Sequence, residues 1–183
     1  MKSITALAVI GLLFFACKLC SSSGNSNHPI SNSSPSSTGK SFARDYIKPQ
    51  YGKFSLSKSL TMEEARKTAS GFTVKMLEQS RDAAGGEYSG GAGTAALMVC
   101  AYSSTSVPAA LIEDLEQQIK SDRGMRLVRS IPDSTGKRVE ATDGKGRAVI
   151  GWSNGHWLFV TIGPNLSDTT SLANSVGFSY GNK

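Results

Sequence analysis

Two histidines, three cysteines and two tryptophans among 183 residues leave little material for several kinds of chemistry. Three cysteines are too few for the dense disulfide framework of a small secreted scaffold. No Cys or His pair stands at metal-ligand spacing, so no metal site is expected. A single long apolar run, near the start, excludes a multi-span membrane protein. There is no Gly-Lys-Ser/Thr phosphate loop, no Gly-x-Ser-x-Gly elbow and no repeat at a solenoid period. The carboxylates are scattered singly or on expected solvent faces of helices, which gives no acid/base pair, and no cofactor is expected.

What is present begins with a targeting signal. Lys2 supplies one positive charge, and Ile4 to Ala16 is an apolar run of thirteen residues. That is shorter than the ~20 residues a helix needs to span a bilayer, so the run reads as the core of a cleaved signal peptide over residues 1–16. Ordinary signal peptidase prefers a small residue three places before its cut, where a cut after Ala16 would put Phe14. Phe14-Phe15-Ala16-Cys17 instead resembles the lipobox of bacterial lipoproteins, with Phe14 in place of the usual Leu. The resemblance implies that Cys17 is acylated on sulfur, palmitate being the expected kind of acyl group, and becomes the mature N-terminus. Cys20, preceded by Lys18 and Leu19, fits the pattern poorly.

Residues 17–40 then read as a lipidated start and a tether. Ser21 to Lys40 holds nine Ser, three Asn, two Pro and two Gly, with Ile30 the one large apolar side chain. Such a stretch cannot bury enough surface to offset its chain entropy. As a flexible coil the tether reaches about 25 Å on average, enough to hold a folded domain clear of a membrane. The expected location is the bacterial cell envelope, facing periplasm or exterior, with the bilayer as first partner through Cys17.

Residues 41–183 are globular in composition, as one domain. Thr61-Met62-Glu63-Glu64 is a capping box and predicts a helix start. Phe72 to Met76 alternates as a strand would, although Phe72 and Met76 also continue a helical stripe. Gly91-Ala92-Gly93-Thr94-Ala95-Ala96 has the spacing of a dinucleotide fingerprint, but it opens a strand where that motif must open a helix, so it reads as a Gly-rich turn. Ala95 to Tyr102 is a continuous apolar run, hence a buried strand. Pro108, Leu111, Ile112, Leu115 and Ile119 mark an amphipathic helix that Gly124 follows. Strands are expected at Met125 to Ile131, Arg138 to Thr142 and Arg147 to Ser153. A turn over Pro132 to Gly136 separates the first two, and Asp143-Gly144 separates the others. Asn154-Gly155 predicts a tight hairpin pairing Ser153 with His156, Trp152 with Trp157 and Ile150 with Phe159. Thr169, Leu172, Ala173 and Val176 mark a last helix. The fold class is α+β, a mainly antiparallel sheet with helices on one face. Residues 72–176 resemble small α+β lipoproteins and secreted domains of bacteria, a likeness that implies no activity.

Two surfaces are candidates for a partner. Trp152, Trp157 and Phe159 fall on one sheet face and form either core or a ligand surface. Arg126, Arg129, Arg138 and Arg147 belong to a basic cluster that contributes to the net charge of +6. Such clusters commonly meet nucleic acid, but export argues against that; an envelope protein or an anionic envelope polymer is the expected partner. The expected function is a non-enzymatic binding or structural module. The alternative is a hydrolase-like envelope enzyme whose site is assembled from distant residues. Ser153 and His156 alone make no triad without an orienting carboxylate. Cys100, inside the buried strand, reads as an inert core thiol.

Overall fold

The structure is a computed structural model, and it describes residues 42–68, 71–133 and 136–178. Cys17, Cys20 and the expected signal peptide and tether lie outside them. Among the described residues eight strands make one antiparallel sheet: β1 (Gln50–Tyr51), β2 (Phe54–Leu60), β3 (Asp82–Gly90), β4 (Gly93–Ala101), β5 (Met125–Asp133), β6 (Gly136–Asp143), β7 (Ala148–Asn154) and β8 (Trp157–Gly163). Their order is β1-β2-β3-β4-β8-β7-β6-β5, two four-stranded meanders joined through β4 and β8. The helices are α1 (Met62–Thr68), α2 (Phe72–Gln79), α3 (Ser106–Ser121) and α4 (Leu166–Phe178), with a short 3-10 turn at Ala43–Tyr46. The chain is thus α+β, as its patterning predicts. Among the described residues no helix is long and apolar enough to cross a membrane.

Alternation along the strands makes two cores. One holds Cys100, Val139, Val149, Leu158 and Val160 of the sheet against Phe72, Met76 and Leu77 of α2 and Leu111, Ile112, Leu115 and Ile119 of α3. The other, on the opposite face, gathers Leu97, Val99 and Phe159 of the sheet under Tyr46, Leu172 and Val176. The expectation of helices on one face therefore needs correcting: α1 to α3 cover one face, and α4 with the 3-10 turn covers the other. The reason is the strand pattern itself. Burial is nearly continuous over β4 and β8, and central strands buried on both sides require a layer on each.

The capping box at Thr61 forms as expected. The Thr61 backbone N–H donates to Glu64 Oε2 at 2.8 Å, and the Glu64 N–H donates to Thr61 Oγ1 at 3.3 Å. The expected strand at Phe72 to Met76 is instead the first part of α2. Its buried residues, Phe72, Thr73, Met76 and Leu77, follow a helical stripe, which over five residues mimics alternation. β5 runs through Pro132 into Asp133, with Pro132 opposite Lys137, where a turn is expected. An edge strand has a side with no ladder partner, so it accepts a residue without an N–H.

The Gly-rich segment is the β3–β4 turn. Gly90 pairs with Gly93 around Gly91-Ala92, and Gly91 has a φ of +58°. A Cβ on Gly91 would lie 2.4 Å from a carboxylate oxygen of Asp168, so both backbone and space demand glycine. Asp168 fastens three parts of the chain. It accepts the Ala92 N–H at 2.7 Å and the Lys53 ammonium at 2.7 Å, and shares reciprocal bonds with Asn165 at the start of α4.

Candidate functional site

The β7–β8 hairpin turns one residue later than its sequence predicts. Asn154 pairs with Trp157, Ser153 with Leu158, Trp152 with Phe159 and Ile150 with Thr161, so the turn residues are Gly155 and His156. Gly155 has a φ of +57°, and among the described residues no non-glycine has positive φ. Placing Gly155 first in the loop needs that conformation from the glycine alone, whereas a turn of Asn154 and Gly155 would need it from both. Each partner moves by two positions, an even step, so every side chain keeps its face. Trp152, Trp157 and Phe159 share one face as predicted, but the two tryptophans are not cross-strand partners.

That face carries an aromatic row. Trp152 stacks on Phe159, with ring centroids 4.9 Å apart and planes 6° from parallel. Tyr46, brought over by the 3-10 turn, meets Phe159 edge-on at 5.2 Å and Trp157 at 4.7 Å. Phe159 is 3% exposed, so it is core and unavailable to a partner. The indoles are half-buried: they roof the second core and present their outer surfaces to solvent.

The register extends this face toward the sheet edge. Trp152 pairs with Arg138, Arg138 with Ile131, Glu140 with Arg129 and Thr142 with Arg126. Arg126, Arg129 and Arg138 therefore belong to the same surface as Trp152, and α4, which packs on β7 and β8, reaches it where Asn174 meets Arg138. Ile131, 37% exposed, is one of two large exposed apolar side chains among the described residues. Arg147 lies apart, at the end of the sheet, bonded to Asp143 at 2.7 Å. Burial works against the charge on Asp143, but the bonds from Arg147 and from the backbone of Lys145 outweigh it and lower its pKa.

Much of the expected basic surface is paired. Arg138 Nε donates to Glu140 Oε1 at 2.8 Å, and its Nη1 donates to Asn174 Oδ1 on α4 at 2.8 Å. Arg129 Nε lies 3.5 Å from Glu140 Oε2. Arg126 is exposed. On the other face Lys137 Nζ donates to both Glu113 oxygens, at 2.8 and 2.9 Å, and pairs with Glu116, which Lys120 also holds at 2.7 Å. These ammonium groups bring the Glu116 pKa down to about 2, the Lys120 bond contributing most.

The residues a hydrolase reading would need do not converge. Ser153 is buried and its Oγ accepts the Lys137 N–H at 3.2 Å, while His156 is exposed in the turn. Lys137 stands near Ser153, but its glutamates raise its pKa and keep it charged, so it is unsuited to take a proton from a hydroxyl. Cys100 is fully buried, and burial pushes its thiol up to about 12. Among the described residues no group of three or more His, Cys, Asp or Glu is placed to hold a metal ion.

Sequence reasoning missed Glu140, Asn174 and Tyr46. Glu140 had a signal, a lone acid between Arg138 and a buried strand partner. Tyr46 had none, because the rings it meets, Trp157 and Phe159, lie on a strand more than one hundred residues away.

No family model matches the chain. No curated protein matches it either. Among solved structures it is similar to the crystal structure of a GTP binding regulator from Thermotoga maritima, at 12% identity over 76% of this chain and 82% of that one, with a TM-score of 0.47. A likeness at that level carries no argument about function.

Proposed function

We propose that the protein is an exported, lipid-anchored module of the bacterial cell envelope, non-enzymatic, that meets its partner through the α4 side of its sheet. The observation that carries the anchoring is the order of three sequence segments: a short apolar run, the Ala16-Cys17 junction, and a Ser-rich stretch that precedes a folded domain. Several acyl chains give durable attachment where a single chain binds only reversibly. The binding reading draws support from the continuous surface of Trp152, Arg138, Arg129, Arg126 and Ile131. The pairing of Arg129 and Arg138 with Glu140 reduces the free positive charge there, which favours a protein or neutral ligand over an anionic polymer.

Mass spectrometry of the mature N-terminal peptide tests the anchor. An acylated Cys17 at the N-terminus, lost in Cys17→Ser, is the expected result. An unmodified Cys17, or a mature start elsewhere, would refute it.

A further inference from the structure

Among the described residues, Glu140 Oε2 is the one buried side-chain oxygen or nitrogen with no hydrogen-bond partner. The side chain is 3% exposed, and Arg129 Nε stands 3.5 Å from this oxygen. Leaving a buried carboxylate oxygen unmade is costly, and native proteins rarely do so without a reason. The other oxygen is well held by Arg138, which fixes the carboxylate and orients Oε2. Arg138 in turn fixes Asn174: because Oδ1 accepts from the guanidinium, the amide group presents its N–H donors on the other side. Those donors have no acceptor among the described residues.

The surroundings restrict what completes this arrangement. A cation would face Arg129 and Arg138, and an anion would face Glu140. A neutral molecule that both donates and accepts hydrogen bonds meets neither penalty. On the same sheet face, diagonal to Glu140, stands Trp152, half-buried and stacked on Phe159. A flat C–H surface of a ligand can lie on such an indole while its polar groups reach the acid and the amide. Arg129 is 59% exposed and stands at a long ion-pair distance from Oε2, so a ligand hydroxyl or N–H that donates to Oε2 in its place leaves the carboxylate satisfied.

We infer that Glu140, Asn174 and Trp152 form a binding site for a neutral saccharide, with Glu140 Oε2 accepting from a hydroxyl or acetamido N–H. The inference deepens the binding reading above and is independent of the anchor at Cys17.

The test is a titration of the full chain with chitotetraose, and in parallel with cellotetraose, followed by calorimetry and by indole fluorescence. Saturable binding with a fluorescence change is expected. In Glu140→Gln, Arg138 keeps an oxygen partner and an N–H replaces Oε2, inverting the hydrogen bond; affinity should fall about tenfold or more. Trp152→Phe should weaken binding as well, whereas Arg129→Ala and Arg126→Ala should retain it. If Glu140→Gln fails to fold, the Trp152→Phe and Arg129→Ala pair decides. Absence of saturable binding to either saccharide overturns the inference, as does unchanged affinity in a folded Glu140→Gln or equal loss in Arg126→Ala. Binding of extended peptides alone at this site would overturn it too. None of these results bears on acylation, so failure here and failure of the anchoring reading are distinguishable.

Discussion

The two faces of this sheet follow different rules. On the α1–α3 face, helices lie over the sheet from β3 across to β5, and what they seal is mostly aliphatic: Ile112 and Leu115 against Val139, Val149 and Leu158. On the α4 face the cover ends at β7, the core is aromatic, and a charged pair, Arg138 and Glu140, sits where the cover stops. Aliphatic side chains carry no polar tip, so a face made of them must be closed completely. Tryptophan and tyrosine join an apolar body to a polar end and can be left half wet. One face therefore supplies stability, and the other keeps a surface that a partner can reach.

The largest expected effect lies on the sealed face. Leu158→Ala, at a fully buried position, should cost about 2–5 kcal/mol in urea unfolding. Trp152→Ala should cost clearly less, about 1 kcal/mol, because the indole is only half-buried although it is the larger side chain. Equal costs would erase the distinction between the faces. The smallest effect at neutral pH concerns Asp168, which ties α4 to the β3–β4 turn. Its pKa is lowered from the ordinary 3.8 to about 2, chiefly by the Lys53 ammonium, then by the Ala92 N–H. The carboxylate is thus more acidic folded than unfolded, so its contribution is full above about pH 4 and is lost as pH falls toward 2. Thermal melts across that range should decline more steeply for the wild type than for Asp168→Asn. Parallel curves would show that this tie contributes nothing.

How much of this was legible beforehand differs between regions as well. The capping box at Thr61, the apolar run at Ala95 and the stripe of α3 each carry a local signal, and local signals survive folding. β3 was illegible: Asp-Ala-Ala-Gly-Gly-Glu has no alternation and poor strand propensity, and it is a strand because β2 and β4 pair with it on either side. The hairpin at Gly155 shows a subtler limit. Asn-Gly marks a turn correctly but does not say which of the two residues opens the loop, and a one-residue displacement changes every cross-strand partner. The face survived because the shift was even, so Trp152, Trp157 and Phe159 were rightly grouped and wrongly paired. That Arg138 adjoins Trp152 depends on the β6–β7 register, and the Asp143-Gly144 signal marks a hairpin there without fixing that register.

On the proposed reading a partner arrives at the α4 face, beyond the end of its cover. Amide hydrogen exchange of the full chain, with and without isolated bacterial envelope, tests this directly. Slowed exchange over β5 (Met125–Asp133) and in β7 around Trp152, with α3 unchanged, is the predicted result. Protection confined to the α3 side, or none along β5 to β7, would contradict it.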